Sequence, residues 1–188
     1  MVDGSTPLLT VEHLKVAYPI RSSILMRKIG EKLAVSDVNF DIRPGETVGL
    51  VGESGSGKST IARAVIGLIP ASDGVIRFEG QDITRLSLRQ MKHMRREMQM
   101  IFQDPYASLN PRLTVRDIIA EAWRVHSDVV PRHRWTAEAK ELMERVGLNP
   151  DYSDRYPHQF SGGQRQRIGI SRALALRPKL IICDEAVS

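Results

Sequence analysis

A chain of 188 residues with a net charge of +5 and a pI near 9.6 can fold as one domain, or as one core with a subdomain, and bury a sizeable interior. Its single cysteine, Cys183, excludes an internal disulfide and any cysteine-based metal site and points to a reducing cytoplasm. The start of the chain has no basic stretch leading into an apolar run, and no apolar segment approaches the length of a membrane span, so a soluble, unexported protein is expected. The basic balance would suit nucleic acid or an anionic membrane surface, but such charge is most often solvated surface.

Residues 8–18 are apolar-rich (Leu8, Leu9, Val11, Leu14, Val16) with no turn signal before Pro19, which predicts a strand ending at Tyr18. Residues 20–33 mix Arg21, Arg27, Lys28 and Lys32 with Ile24, Leu25 and Met26. They read as a long surface loop, with contact to a membrane or a partner as the alternative. Val38, Phe40 and Ile42 alternate with Asn39 and Asp41, a half-buried strand closed by the turn Pro44-Gly45. Residues 47–51, short, apolar and partly β-branched, are expected as a buried strand.

That strand would feed Gly52, Glu53, Ser54, Gly55, Ser56, Gly57, Lys58, Ser59 and Thr60, which fit two glycines five apart followed by Lys and Ser or Thr. The glycines let backbone N–H groups turn inward around phosphate oxygens, and a following helix, with Ile61, Val65 and Leu68 as its apolar stripe, adds donors and partial positive charge. Lys58 would sit on the β and γ phosphates, and Ser59 would offer its hydroxyl to Mg²⁺. This is the pattern of a nucleoside triphosphate site.

Pro70 is expected to stop that helix, Asp73-Gly74 to turn the chain, and Ile76 and Phe78 to lie in another half-buried strand. Ser87 and Gln90 have the form of a capping box for a short helix with Leu88, Met91 and Met98 on one side; its methionines, with Met94 and Met100, read as core filler. Residues 100–102 predict a strand delivering Gln103 to a loop. A largely helical insert follows. Thr114 opens one helix and Thr136 caps another, which bears Ala139, Leu142, Met143 and Val146 and ends at Gly147. The basic run Arg132 to Trp135 between them could stack on a base but reads as a solvated loop. Ser161, Gly162, Gly163 and Gln164 precede a helix over 165–176 and expose backbone N–H groups, a second anion site. Residues 180–183 form an unbroken apolar run, a strand buried on both faces that carries Asp184 and Glu185 at its end, where they meet the phosphates.

With residues 52–60, Gln103, Ser161 to Gln164 and Asp184-Glu185 in this order, the chain resembles an ATP-binding cassette ATPase over about residues 8–188. Residues 103–112 (QDPYASLNPR), together with Tyr156 to Phe160 and Arg165-Gln166-Arg167 around the signature, are similar to the oligopeptide and dipeptide importer branch. The resemblance implies an α/β fold: a P-loop NTPase (RecA-like) core, an N-terminal antiparallel β subdomain and a helical signature-motif subdomain. It divides the chain at about 8–103 (β subdomain and P-loop core), about 104–163 (helical subdomain) and about 164–188 (return to the core). It implies ATP and Mg²⁺ as cofactors. Tyr18 would stack on adenine, Gln103 and Asp184 would act on the metal or its waters beside Ser59, and Glu185 would orient the attacking water. Ser161, Gly162, Gly163 and Gln164 would close on the γ-phosphate held by a second ATPase subunit, in a head-to-tail homo- or heterodimer. The remaining implied partners are two transmembrane permease subunits, met by the insert over 103–147, and, indirectly, an extracytoplasmic peptide-binding protein. No nucleic acid is expected, and the implied location is the cytoplasmic side of the cell membrane.

Against this pattern, Ala186 stands where the family often has proline and Phe160 where many members have leucine. Beyond Ser188 the pattern continues with Ala-Leu-Asp, a strand and a switch histidine, so the chain reads as C-terminally incomplete. That strand would lie between the one feeding the phosphate loop and the one ending at Asp184, and without it two apolar edges stand unpaired. Three functions stay open: an ATPase importing peptides, or nickel as some relatives in this branch do; a nucleotide-binding remnant without catalysis; and a cassette ATPase of nucleic-acid metabolism or translation.

Overall fold

The computed structural model describes residues 6–21, 28–102 and 108–184. They fall into two compact units, Met1–Met94 and Arg95–Ser188. The first is built on a four-stranded antiparallel sheet in the order β2-β1-β3-β4. Its strands are β1 (Leu9–Arg21), β2 (Lys28–Ile42), β3 (Asp73–Phe78) and β4 (Gln81–Asp82). Leu9, Val11, Leu14 and Val16 are all buried, although a regular strand would put the first two and the last two on opposite faces. A register shift between Val11 and Leu14 against β2, with His13 at φ 50°, absorbs the extra residue.

β1 runs past the predicted stop at Pro19, and most of residues 20–33 belong to the hairpin rather than to a loop. Pro19 is tolerated because β3 pairs β1 only as far as Lys15, so the proline lies where one side of β1 has no described strand to donate to. Asp73 and Gly74 open β3 instead of turning the chain. Gly74 has φ 90°, and a Cβ there would stand 2.5 Å from the His13 carbonyl oxygen.

Helix α1 (Lys58–Val65) packs Ile61, Ala64 and Val65 inward against β1 and β2. It ends before the predicted Pro70, at Gly67 with φ 66°, and leaves Leu68 47% exposed. Helix α2 (Leu88–Glu97) starts at the expected capping box, Ser87 N donating to Gln90 Oε1 at 3.0 Å. Met91 is buried, but Leu88 is 79% exposed and Met98 belongs to the next strand. The largest departure is at residues 47–51, which form no strand and leave Val51 94% exposed. An apolar run becomes a strand when neighbours take its backbone groups and cover its side chains, and no described strand pairs with this one.

The second unit holds a parallel pair, β5 (Met98–Ile101) and β6 (Leu180–Cys183), in register from Met98↔Leu180 to Ile101↔Cys183. Helices α3 (Val115–Val125), α4 (Trp135–Arg145) and α5 (Gly162–Leu174) enclose a core that includes Ile118, Ile119, Trp123, Met143, Phe160 and Ile168. Trp123 is fully buried, donates its indole N–H to the Ala175 carbonyl at 2.9 Å and lies 6.2 Å from Trp135 between ring centroids. Thr114 caps α3 as expected, accepting from Asp117 N. Thr136 does not cap α4: a 3-10 turn over Arg132–Arg134 winds directly into the helix, so its first residue is Trp135. β6 is not buried on both faces. Only Leu180 is buried and Ile181 is 38% exposed, because among the described residues β5 is its sole neighbour.

A candidate phosphate site and the signature helix

The phosphate loop belongs to the first unit, and local hydrogen bonds shape it. Ser56 N donates to the Glu53 carbonyl at 3.2 Å, and Gly55 and Gly57 take φ of 81° and 98°. Gly57 is required twice over, since a Cβ on it would stand 2.6 Å from the Ala34 carbonyl oxygen and 3.2 Å from Val35 Cγ2 of β2. It also occupies the position before α1, and the helix therefore opens without a side-chain cap and without an acidic residue in its first turn. No acidic side chain of that first turn competes with an incoming anion for the positive end of the helix.

Lys58 Nζ donates to the Gly52 and Glu53 carbonyls at 2.7 and 2.8 Å, so among the described residues two of its three N–H donors hold the ammonium over the loop. β1 brings Tyr18 to the same place: its hydroxyl lies 3.4 Å from Thr60 Oγ1 and its side chain is 39% exposed. One unit thus joins Tyr18 to residues 52–60. Ser59 stands in the first turn of α1. No group of three or more His, Cys, Asp and Glu able to hold a metal occurs among the described residues. Ser59 offers a hydroxyl, a hard oxygen that suits Mg²⁺ carried in with a phosphate better than a metal held by protein alone.

In the second unit Asp184 is buried at the end of β6, where its N–H extends the strand pairing to the Ile101 carbonyl at 3.0 Å. Gln103 and Glu185 lie outside the described residues. The signature begins α5 three residues earlier than predicted. Ser161 Oγ accepts from Gln164 N at 3.3 Å, and Ser161 N donates to Gln164 Oε1 at 2.9 Å, a reciprocal cap. A hydroxyl used as an acceptor keeps its own proton to give, so the cap fixes Ser161 without consuming its donor.

Three arginines of α5 were not legible as anchors from sequence. Arg165 donates to the Pro157 carbonyl at 2.8 Å, Arg167 to the Gly147 carbonyl at 2.9 Å, and Arg172 to the Ser108 carbonyl at 2.5 Å. Burial draws the Arg172 guanidinium below its ordinary pKa, with Glu121 acting in the opposite sense. Their residue type was visible, but their partners are backbone carbonyls, which leave no mark on the sequence.

The chain is 52% identical over 182 residues to the oligopeptide transport ATP-binding protein AppF of Bacillus subtilis (strain 168), covering 96% of this chain and 55% of that protein. It is 54% identical over 188 residues to the glutathione import ATP-binding protein GsiA of Escherichia coli (strain K12), covering 100% of this chain and 30% of that protein. The chain therefore spans about half or less of the length of these relatives. Its fold is similar to that of the ATP-binding cassette MJ0796, solved as a dimer in a post-hydrolysis state with ADP and Pi. The TM-score is 0.83 at 25% identity, covering 95% of this chain and 74% of that one. Residues 35–188 match the ABC transporter family, and the chain belongs to it.

Proposed function

We propose that the whole protein is the ATP-binding and ATP-hydrolysing subunit that powers import of oligopeptides or dipeptides through a membrane ABC transporter, acting from the cytoplasmic side. The observation that carries this reading is the uncapped start of α1 behind a glycine cradle, with Lys58 over the loop and Tyr18 beside Thr60. In it, the loop amides and Lys58 hold the β and γ phosphates, Tyr18 takes the adenine, and Ser59, Gln103 and Asp184 hold Mg²⁺ or its waters. Those residues would hold Mg²⁺, which when bound would supply charge neutralisation for the phosphates. Glu185 orients the attacking water, and Ser161, Gly162, Gly163 and Gln164 act across a head-to-tail dimer on the nucleotide of the other subunit. Two permease subunits complete the transporter.

The relatives support short peptides as cargo, since one is named for oligopeptides and the other for glutathione, itself a tripeptide. Hydrolysis of this kind depends on positioning and charge stabilisation rather than covalent chemistry. Glu185→Gln is therefore expected to lower ATP turnover by about 100-fold or more while ATP affinity stays within about threefold. Steady-state phosphate release and equilibrium nucleotide binding on the assembled transporter would measure the two. Turnover unchanged in this variant would remove Glu185 from the mechanism.

A further inference from the structure

The basic run between α3 and α4 has no part in the function proposed above, and the structure gives it a setting other than a solvated loop. Trp135 is the first residue of α4 and its side chain is half-buried. Its indole N–H donates to the Val130 carbonyl at 3.0 Å, its ring centroid lies 6.2 Å from that of Trp123, and Arg132 Cζ stands 5.9 Å from the same centroid. Ring and donor are both in use, so a stacked base has less to gain here than an anion has from the guanidiniums beside it. Next to the ring opens a cavity of about 470 Å³ lined by Trp123, Arg124, Ser127, Val130, Arg132 and Trp135. That size suits a small organic molecule. Trp123 and Val130 are buried and give the cavity an apolar floor, whereas Arg124, Ser127 and Arg132 are exposed and carry its polar groups.

Other arginines of this region already hold carboxylates. Arg96 pairs with Asp128 at 2.6 Å, Arg134 with Glu138 at 2.6 Å and Arg116 with Asp154 at 3.0 Å. Arg124 gives one N–H to Asp117 at 3.2 Å and keeps others free to donate. Arg132 is different: among the described residues it forms no ion pair, its contact is the Trp135 ring, and no carboxylate lines the cavity. We propose that this cavity binds a small organic monoanion, a carboxylate on a compact apolar body, with Arg132 and Arg124 on the carboxylate and Val130 and Trp135 on the body. The planar fork of a guanidinium matches a carboxylate in two parallel bonds. Charge selects the monoanion. Arg116, Arg124 and Arg132 face Asp117 and Asp154, which leaves one positive charge for a ligand to balance, and a phosphate dianion would exceed it. The Trp135 ring holds Arg132 beside the cavity before any ligand arrives, which lowers the cost of ordering it. The site uses none of residues 52–60 or 161–164, so it stands independently of the proposed transport function.

The probe is N-acetyl-phenylalanine, a blocked amino acid with one carboxylate. It is titrated calorimetrically into the full-length protein in the presence of a non-hydrolysable ATP analogue, which keeps the phosphate loop from competing for it. A Kd on the order of 1 mM is expected for so small a ligand. The amide of the same compound, with the same body and no charge, should bind at least about tenfold more weakly, and so should the acid to Arg132→Gln. Arg124→Gln, which removes the shared guanidinium, should weaken the acid about threefold. Arg145→Gln deletes the same charge from the exposed end of α4 and should leave the Kd within about twofold. Inorganic phosphate at equal concentration should not displace the acid. Acid and amide binding alike would reduce the site to apolar contact, and equal losses in Arg132→Gln and Arg145→Gln would reduce it to general charge attraction; either result overturns the proposal. So does displacement by phosphate, or no binding of the acid at concentrations up to about 10 mM. The acid and amide comparison needs no variant, so it decides the matter even where a substitution disturbs the fold.

Discussion

Helices α1 and α5 both begin at a glycine-rich motif, yet they begin in opposite ways. α1 follows a left-handed glycine and opens with no side-chain cap, whereas α5 follows Ser161 and closes its first turn with a reciprocal Ser-Gln cap. The difference fits the ligand each would meet. An anion gripped within one chain needs the whole helix start available, so the loop and not a cap must hold the geometry. In the proposed reading the motif at α5 meets a nucleotide on another subunit and must keep its shape unaided; the cap would do that while leaving the Ser161 proton available.

Glycine substitutions should break the contrast most severely. Gly57→Ala meets both a left-handed φ and the Ala34 carbonyl, and is expected to destabilise the protein by about 2–3 kcal/mol, roughly 5–10 °C in Tm, and to abolish ATP binding. Gly55→Ala shares the positive φ but has nothing within 4 Å of the added carbon, so it should lose only about 1 kcal/mol. Equal losses in calorimetry would mean that β2 does not support the loop. Ser161→Ala comes next. Removing the cap should cost about 1 kcal/mol, roughly 2–4 °C, and leave ATP affinity unchanged. A change in affinity without a change in melting would place Ser161 on its own chain's nucleotide.

The smallest effect concerns the strand that braces Gly57. Three residues beyond Ala34, Asp37 accepts a 2.7 Å hydrogen bond from His13 and a longer one from Asn39, and these, in that order, hold its carboxyl below the usual 3.8. A carboxyl lowered on folding adds stability above its unfolded pKa and loses it as pH falls through the folded one. His13→Ala should therefore move the Asp37 carboxyl titration upward, toward its ordinary value, in carbon NMR. A stationary midpoint would show that the His13 contact has no weight in solution.

Much of what local chemistry decides was legible in the sequence, although Thr136 was misread as a cap and Asp73-Gly74 as a turn. The capping residues Ser87 and Thr114, the helix stop at Gly147 and the phosphate loop all act through bonds to near neighbours. It misled where an element depends on what lies beside it. Pro19 sits inside β1 because β3 has already ended, and the apolar run over 47–51 is not a strand because no described strand flanks it. The burial of β6 was overread for the same reason, since an apolar run fixes what a strand prefers to face and not how many neighbours it has.

The paired tryptophans carry an optical consequence. Trp123 and Trp135 are the chain's only tryptophans, and both lie in the second unit while the phosphate loop lies in the first. Indole emission during denaturation therefore watches the helices around the signature and is blind to the nucleotide loop itself. If ATP shifts that emission-detected transition, stabilisation gained in one unit has reached the other, and the two unfold cooperatively. If ATP shifts only the calorimetric trace, the units melt as separate bodies.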